Sequence, residues 1–143
     1  MNEQLFPHAN IIVGILIFLI GFIFHFVGQI ISLVNRPLAV KIGIWEKDII
    51  PEFEVYEKAI AVADIIIGIS YGISAIGLLL NVSWAYNLAW IPASIFIYHG
   101  LSFWFWVGNQ NKAGHPLHGQ GMRFGWSAIN IIAGIFTIFV IWQ

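Results

Sequence analysis

The chain contains no cysteine. That absence removes disulfides, thiolate nucleophiles, iron–sulfur ligation and thiol-based redox chemistry together. Charge is nearly as scarce: 9 % of the 143 residues are Asp, Glu, Lys or Arg, where an ordinary soluble domain carries roughly 25 %. With a formal net charge of -1 there is no basic footprint, so nucleic acid is not expected as a partner. The N-terminal stretch MNEQLFPHAN also lacks a basic n-region and an A-x-A cleavage site. The first apolar run is therefore expected to stay as a helix rather than leave as a signal peptide.

What is present is apolar. Hydrophobic residues make up 59 % of the chain and the mean hydropathy is +0.86. This composition points to a multi-pass protein of the cell membrane, with the lipid bilayer as its first partner. The length suits a single domain, residues 1–143. Four apolar runs, at about 10–34, 58–80, 84–107 and 124–142, reach or approach the roughly 20 residues that a helix needs to cross the hydrocarbon core. The very short connection near residues 81–83 forces the second and third helices into an antiparallel hairpin. The predicted fold is all-α, a four-transmembrane-helix antiparallel bundle. After the first run, the proline of NRPLAV suits the first turn of a short interfacial helix.

Orientation follows from the basic residues. Arg36, Lys41, Lys47, Lys58, Lys112 and Arg123 all belong to the first or third connection or their flanks. By the positive-inside rule both long connections are expected in the cytoplasm and both termini outside.

The segment 55–72, VYEKAIAVADIIIGISYG, then stands out because it carries Asp64 into an otherwise lipid-compatible run. An aspartate there is costly unless a bundle interior or a wet cavity receives it. Glu57, Asp64 and Tyr71 lie seven residues apart, on one helical face with Gly68 and Ala75. On the first helix His25 shares a face with Gly14, Gly21, Gly28 and Ser32, with Gln29 at its margin, and small residues mark a close helix seam. His99 aligns with Pro92, Ile95 and Trp106 on the third helix, and Asn130 with Arg123, Trp126, Gly134 and Thr137 on the fourth. Counting about 1.5 Å per residue puts His25, Asp64, His99 and Asn130 near a common depth in the cytoplasmic half.

The predicted site follows. Asp64, His99, His25 and Glu57 are the candidate reactive groups, and Tyr71, Trp106, Asn130 and Gln29 the candidate ligand contacts. Phe96, Phe103 and Trp104 are further candidate wall residues, and no metal is assigned to the site. The residues leave a structural alternative open, since Asp and His buried together also satisfy one another in hydrocarbon. In the connections, Glu46, Asp48, Glu52 and Glu54 precede the second helix, and His115 and His118 precede the fourth. A His-x-x-His pair can hold a metal ion on a helix. Pro116 and the neighbouring glycines argue against a helix there, so a solvated polar loop is expected; if these loops folded over the bundle mouth, they would lid the His25–Asp64–His99 site.

Residues 60–80, IAVADIIIGISYGISAIGLLL, together with the chain's size and four-helix plan, resemble the DoxX-type small membrane proteins. In that group an acidic residue precedes a glycine-spaced apolar helix ending in a Gly-Leu-Leu turn. Some members are linked to thiosulfate:quinone oxidoreduction, so the resemblance implies a quinone near Asp64. The family's basic residue before helix one is absent here, and HFVGQ, RPL, WEKD, YHGLSFWFW and HPLHGQG lie outside its pattern. Only Asp64 carries over.

The leading expectation is a bundle that binds a quinone-like or other hydrophobic redox ligand, with Asp64 and His99 exchanging protons and Glu57 leading to water. It would then be a membrane oxidoreductase or a subunit of one. A b-type haem ligated by His25 and His99 is an alternative. A non-catalytic subunit of a larger membrane complex, or of a homo-oligomer, is another. A transporter is disfavoured because no inverted repeat is visible.

The cysteine-free background makes the orientation directly testable. In oriented vesicles, a cysteine introduced as Ala113→Cys will react with an impermeant thiol reagent only from the cytoplasmic side, and Ser83→Cys only from the outside. The reverse pattern would overturn the assignment.

Overall fold

Inside hydrocarbon a backbone N–H or C=O has no water to bond, so an apolar run of this length satisfies its own amides by becoming a helix. The computed structural model describes residues 7–45, 47, 51–115 and 119–142, with the backbone alone at 52 and 53. It is helical throughout, and no strand occurs among the described residues. Helix α1 spans Ala9–Val34, α2 Arg36–Lys41, α3 Pro51–Leu79, α4 Ser83–Leu88, α5 Trp90–Lys112 and α6 Gln120–Ile141. Four stretches are long and apolar enough to cross a membrane: α1, residues Glu54–Leu79 of α3, the α4–α5 run Ser83–Lys112, and α6.

The apolar runs located these helices but not their ends. Helix α3 begins at Pro51 and extends over 29 residues, seven residues earlier than hydropathy marks. At about 1.5 Å per residue it outruns a hydrocarbon core of about 30 Å. Its first turns leave the apolar zone, where charged residues remain helical: Lys58 reaches back to Glu54 at 2.8 Å, and Arg36 joins the same carboxylate at 2.9 Å. The third run is broken at Ala89 rather than continuous. Pro92 explains the break, because it has no N–H for the Leu88 carbonyl and its ring crowds that oxygen. The expected short helix after residue 35 is α2, capped by the Asn35 side chain accepting from the Leu38 amide at 3.1 Å. Within α1, residues Ile17–Val27 form a widened π-helical stretch, and His25 sits in it.

Contacts divide the helices into two close pairs, α1 with α3 and α5 with α6. The pairs meet mainly at one end, where the start of α1 touches α6 and the short α3–α4 turn closes the structure. There Asn81, in the left-handed region at φ 54°, ends α3, and the Val82 amide returns to the Gly77 carbonyl at 2.9 Å. The apolar core fills this half with Ala9, Val13, Ile17, Leu78, Ala85, Ala89, Val140 and Ile141. Towards the end that carries the long connections, α3 touches α5 only sparsely, and so does the π-helical part of α1. The two pairs diverge there.

The α5–α6 pair is close enough to exclude a side chain at its seam. A Cβ on Gly134 would lie 2.7 Å from the Ala93 carbonyl oxygen, whereas one on Gly125 would meet nothing within 4 Å. Gly134→Ala is therefore expected to destabilise the protein by about 1–3 kcal/mol through overpacking, and Gly125→Ala to be neutral or slightly stabilising. Thermal unfolding in detergent, followed by helicity, checks the contrast.

Candidate functional site

Where the helix pairs diverge, the space between them is a cavity of about 490 Å³. His25 of α1, Asp64 of α3 and His99 of α5 line its deep end, with Gln29 beside them. Phe24, Tyr98, Phe103, Trp106 and Trp126 supply aromatic wall, and Tyr56 and Glu57 stand nearer the long connections. Residues Ile42, Gly43, Ile44 and Trp45 of the first connection also line the cavity.

At the deep end, one ligand-capable atom from each of His25, Asp64 and His99 lies within 4.8 Å of the others. His25 and Asp64 are buried, and the His25 and His99 rings meet edge to face with centroids 4.2 Å apart. Two neighbouring amides brace the group. Asn130 Nδ2 donates to the Trp126 carbonyl at 2.9 Å, which turns Asn130 Oδ1 towards His25 Nε2, also at 2.9 Å. Because that oxygen only accepts, Nε2 must carry the proton, and Nδ1 keeps the lone pair. Gln29 Nε2 donates to Asp64 Oδ2 at 3.2 Å and leaves Oδ1 uncommitted by it. Below them Tyr71 is wholly buried, its ring 6.0 Å from that of His25, and its hydroxyl has no hydrogen-bond partner. An unpartnered buried hydroxyl is uncommon, and the Trp45 indole N–H and the Ser127 hydroxyl share that state.

Of the residues expected from the sequence, the structure brings His25, Asp64, His99, Glu57, Gln29 and Trp106 to one cavity. Asn130 and Tyr71 stand behind His25 instead of facing the cavity. Phe103 is a wall, but Phe96 belongs to the apolar core, and the Trp104 ring lies under the Arg123 guanidinium at 4.0 Å. Arg123 also donates to the Trp104 carbonyl at 2.8 Å. His115 is exposed and is not part of the cavity lining. Glu46, Asp48, His118 and the side chain of Glu52 lie outside the described residues. Trp45, Tyr56, Tyr98, Met122 and Trp126 were not anticipated as lining. Of these only Trp126 carried a signal, sharing a stripe with Asn130.

Compared with protein-family models, curated proteins and solved structures, the chain finds no match. Its chemistry therefore rests on the geometry itself.

The His25–Asn130 bond makes a specific spectroscopic prediction. In protein labelled with ¹⁵N-histidine, His25 will be observed as the Nε2–H tautomer. Asn130→Leu will remove that bias and lower stability by about 1–3 kcal/mol, the usual cost of a buried donor left unpaired. An unchanged tautomer signal in the variant would overturn the assignment.

Proposed function

We propose that the four helices form an antiparallel bundle in the cell membrane, both termini outside and both long connections cytoplasmic. The cavity would hold a flat, lipid-soluble ligand of the quinone class. As an electron donor outside this chain reduces the quinone by two electrons to the quinol, His99 and Asp64 would supply the two protons that its ring oxygens take up, and Glu57, two turns closer to the mouth, would replace them from water. The protein would act as a membrane oxidoreductase or as the quinone-binding subunit of one. The resemblance of residues 60–80 to DoxX-type proteins points the same way.

The observation that carries this reading is the pairing of aromatic walls with convergent polar groups at one end of a cavity of about 490 Å³. Ligand pockets typically span about 300–1,000 Å³, mostly apolar with a few placed polar groups. Access also fits. Ile60, Ala63 and Ile67 of α3 face Ile95, Tyr98 and Ser102 of α5 along the sparsely packed side of the cavity, and Ala63, Tyr98 and Ser102 are exposed. A ligand dissolved in the bilayer would enter between those helices.

A bis-histidine haem is the weaker reading. A porphyrin needs its plane between the two axial imidazoles, and rings in edge contact at 4.2 Å leave no such gap.

Protein purified in mild detergent is expected to yield about one quinone per chain on organic extraction. A short-chain quinone should quench its tryptophan fluorescence saturably, through Trp106 and Trp126. His99→Ala and Asp64→Asn should each weaken that binding about tenfold or more, as expected for a lost hydrogen bond to a polar or charged group. Folded protein with neither extractable quinone nor saturable quenching would overturn the proposal.

A further inference from the structure

Two carboxylates, Asp64 and Glu57, and two imidazoles line the cavity, yet among the described residues no lysine or arginine lines it. Arg36 and Lys58 are engaged on Glu54, and Arg123 lies against Trp104, while Lys41 and Lys47 of the first connection are exposed and outside the lining. A carboxylate in a low-dielectric site stays ionised only beside a compensating cation and otherwise takes up a proton. The deep end offers donors for one, with two nitrogens and one oxygen converging from three different helices. Among the described residues these three side chains make no hydrogen bond to one another, so they converge on a point instead of closing a pair.

We infer that His25, Asp64 and His99 bind a divalent first-row transition-metal ion whose remaining coordination positions face the cavity. Three features support the site. Two imidazoles and one carboxylate form a donor set that suits Zn²⁺, Fe²⁺ or Co²⁺ and leaves positions open. The supporting shell is of the kind metal ligands need: Asn130 accepts from His25 Nε2–H and so presents Nδ1 as the ligating nitrogen, while Gln29 braces the Asp64 carboxylate. The His25 and His99 rings meet edge to face with centroids 4.2 Å apart, which brings both imidazoles to the same end of the cavity. The inference goes beyond the quinone reading and does not require it. If both hold, the open positions are where a quinone oxygen would bind.

The 143-residue protein in mild detergent, stripped with a chelator and desalted, is titrated calorimetrically with Co²⁺ and Zn²⁺, and its metal content is measured after a second desalting. One tightly held ion per chain is expected. His99→Ala and Asp64→Asn should lose it, while His115→Ala, which alters an exposed histidine outside the cavity lining, should keep it. Asn130→Leu should weaken binding about 10–100-fold, the usual effect of removing a supporting partner. Should the alanine variant misfold, His99→Cys retains a ligand and should bring a thiolate-to-cobalt charge-transfer band that wild type lacks. Folded wild type with no retained ion, undiminished binding in folded Asp64→Asn, or folded His99→Cys without that band would each overturn the site. Organic extraction of the same samples separates the two proposals. Metal without quinone supports this site and removes the quinone, and quinone without metal does the opposite.

Discussion

A polar side chain in hydrocarbon must find its partner within the protein, and the interior of this molecule is arranged around that requirement. Most of its buried hydroxyls and amides meet it locally or simply. Thr137 bonds the Ala133 carbonyl one turn back at 2.7 Å, Ser32 the Gly28 carbonyl at 3.0 Å, and Asn10 crosses to the Leu78 carbonyl at 2.9 Å. Asp64 and His25 have no such local solution. Gln29 and Asn130 hold them, and the cavity forms where they and His99 come together.

The two halves of the structure divide the work. At the end with the short turn, small residues let the helices approach, and the core there is mostly apolar, with Asn10 bonded to the Leu78 carbonyl. At the other end the same helices line the cavity with Tyr56, Phe103, Trp106 and Trp126. Packing at one end thus supplies the stability that an open, polar site at the other subtracts. This is the usual relation between a rigid scaffold and a functional cleft.

His25 links the two helix pairs. It lies on α1, in the π-helical stretch that widens the helix, and bonds Asn130 on α6 of the other pair. A short π-helical segment often accompanies a functional side chain, because the extra residue re-aims what the α-helical repeat would send elsewhere. The Gln29–Asp64 bond, by contrast, lies within the α1–α3 pair. One amide therefore orders the carboxylate inside a pair, and the other fixes the imidazole across the gap.

Much of this was legible in the residues. Hydropathy located all four membrane-length helices, because a long apolar run in lipid has one stable backbone solution. The cost of burying Asp64, and the helical spacing that turns His25 and His99 inward, picked out the polar cluster before any contact was known. Helix ends escaped because hydropathy marks the apolar zone, whereas α3 continues to Pro51 in residues that need no lipid. The break at Ala89 was visible only as Pro92. The roles of Asn130 and Tyr71 behind His25, the displacement of Trp104 towards Arg123, and the place of Ile42–Trp45 in the cavity lining were decided by tertiary structure alone. A helical wheel gives the face a residue occupies, but only packing between helices decides which neighbour it meets and whether the space beside it fills or stays open.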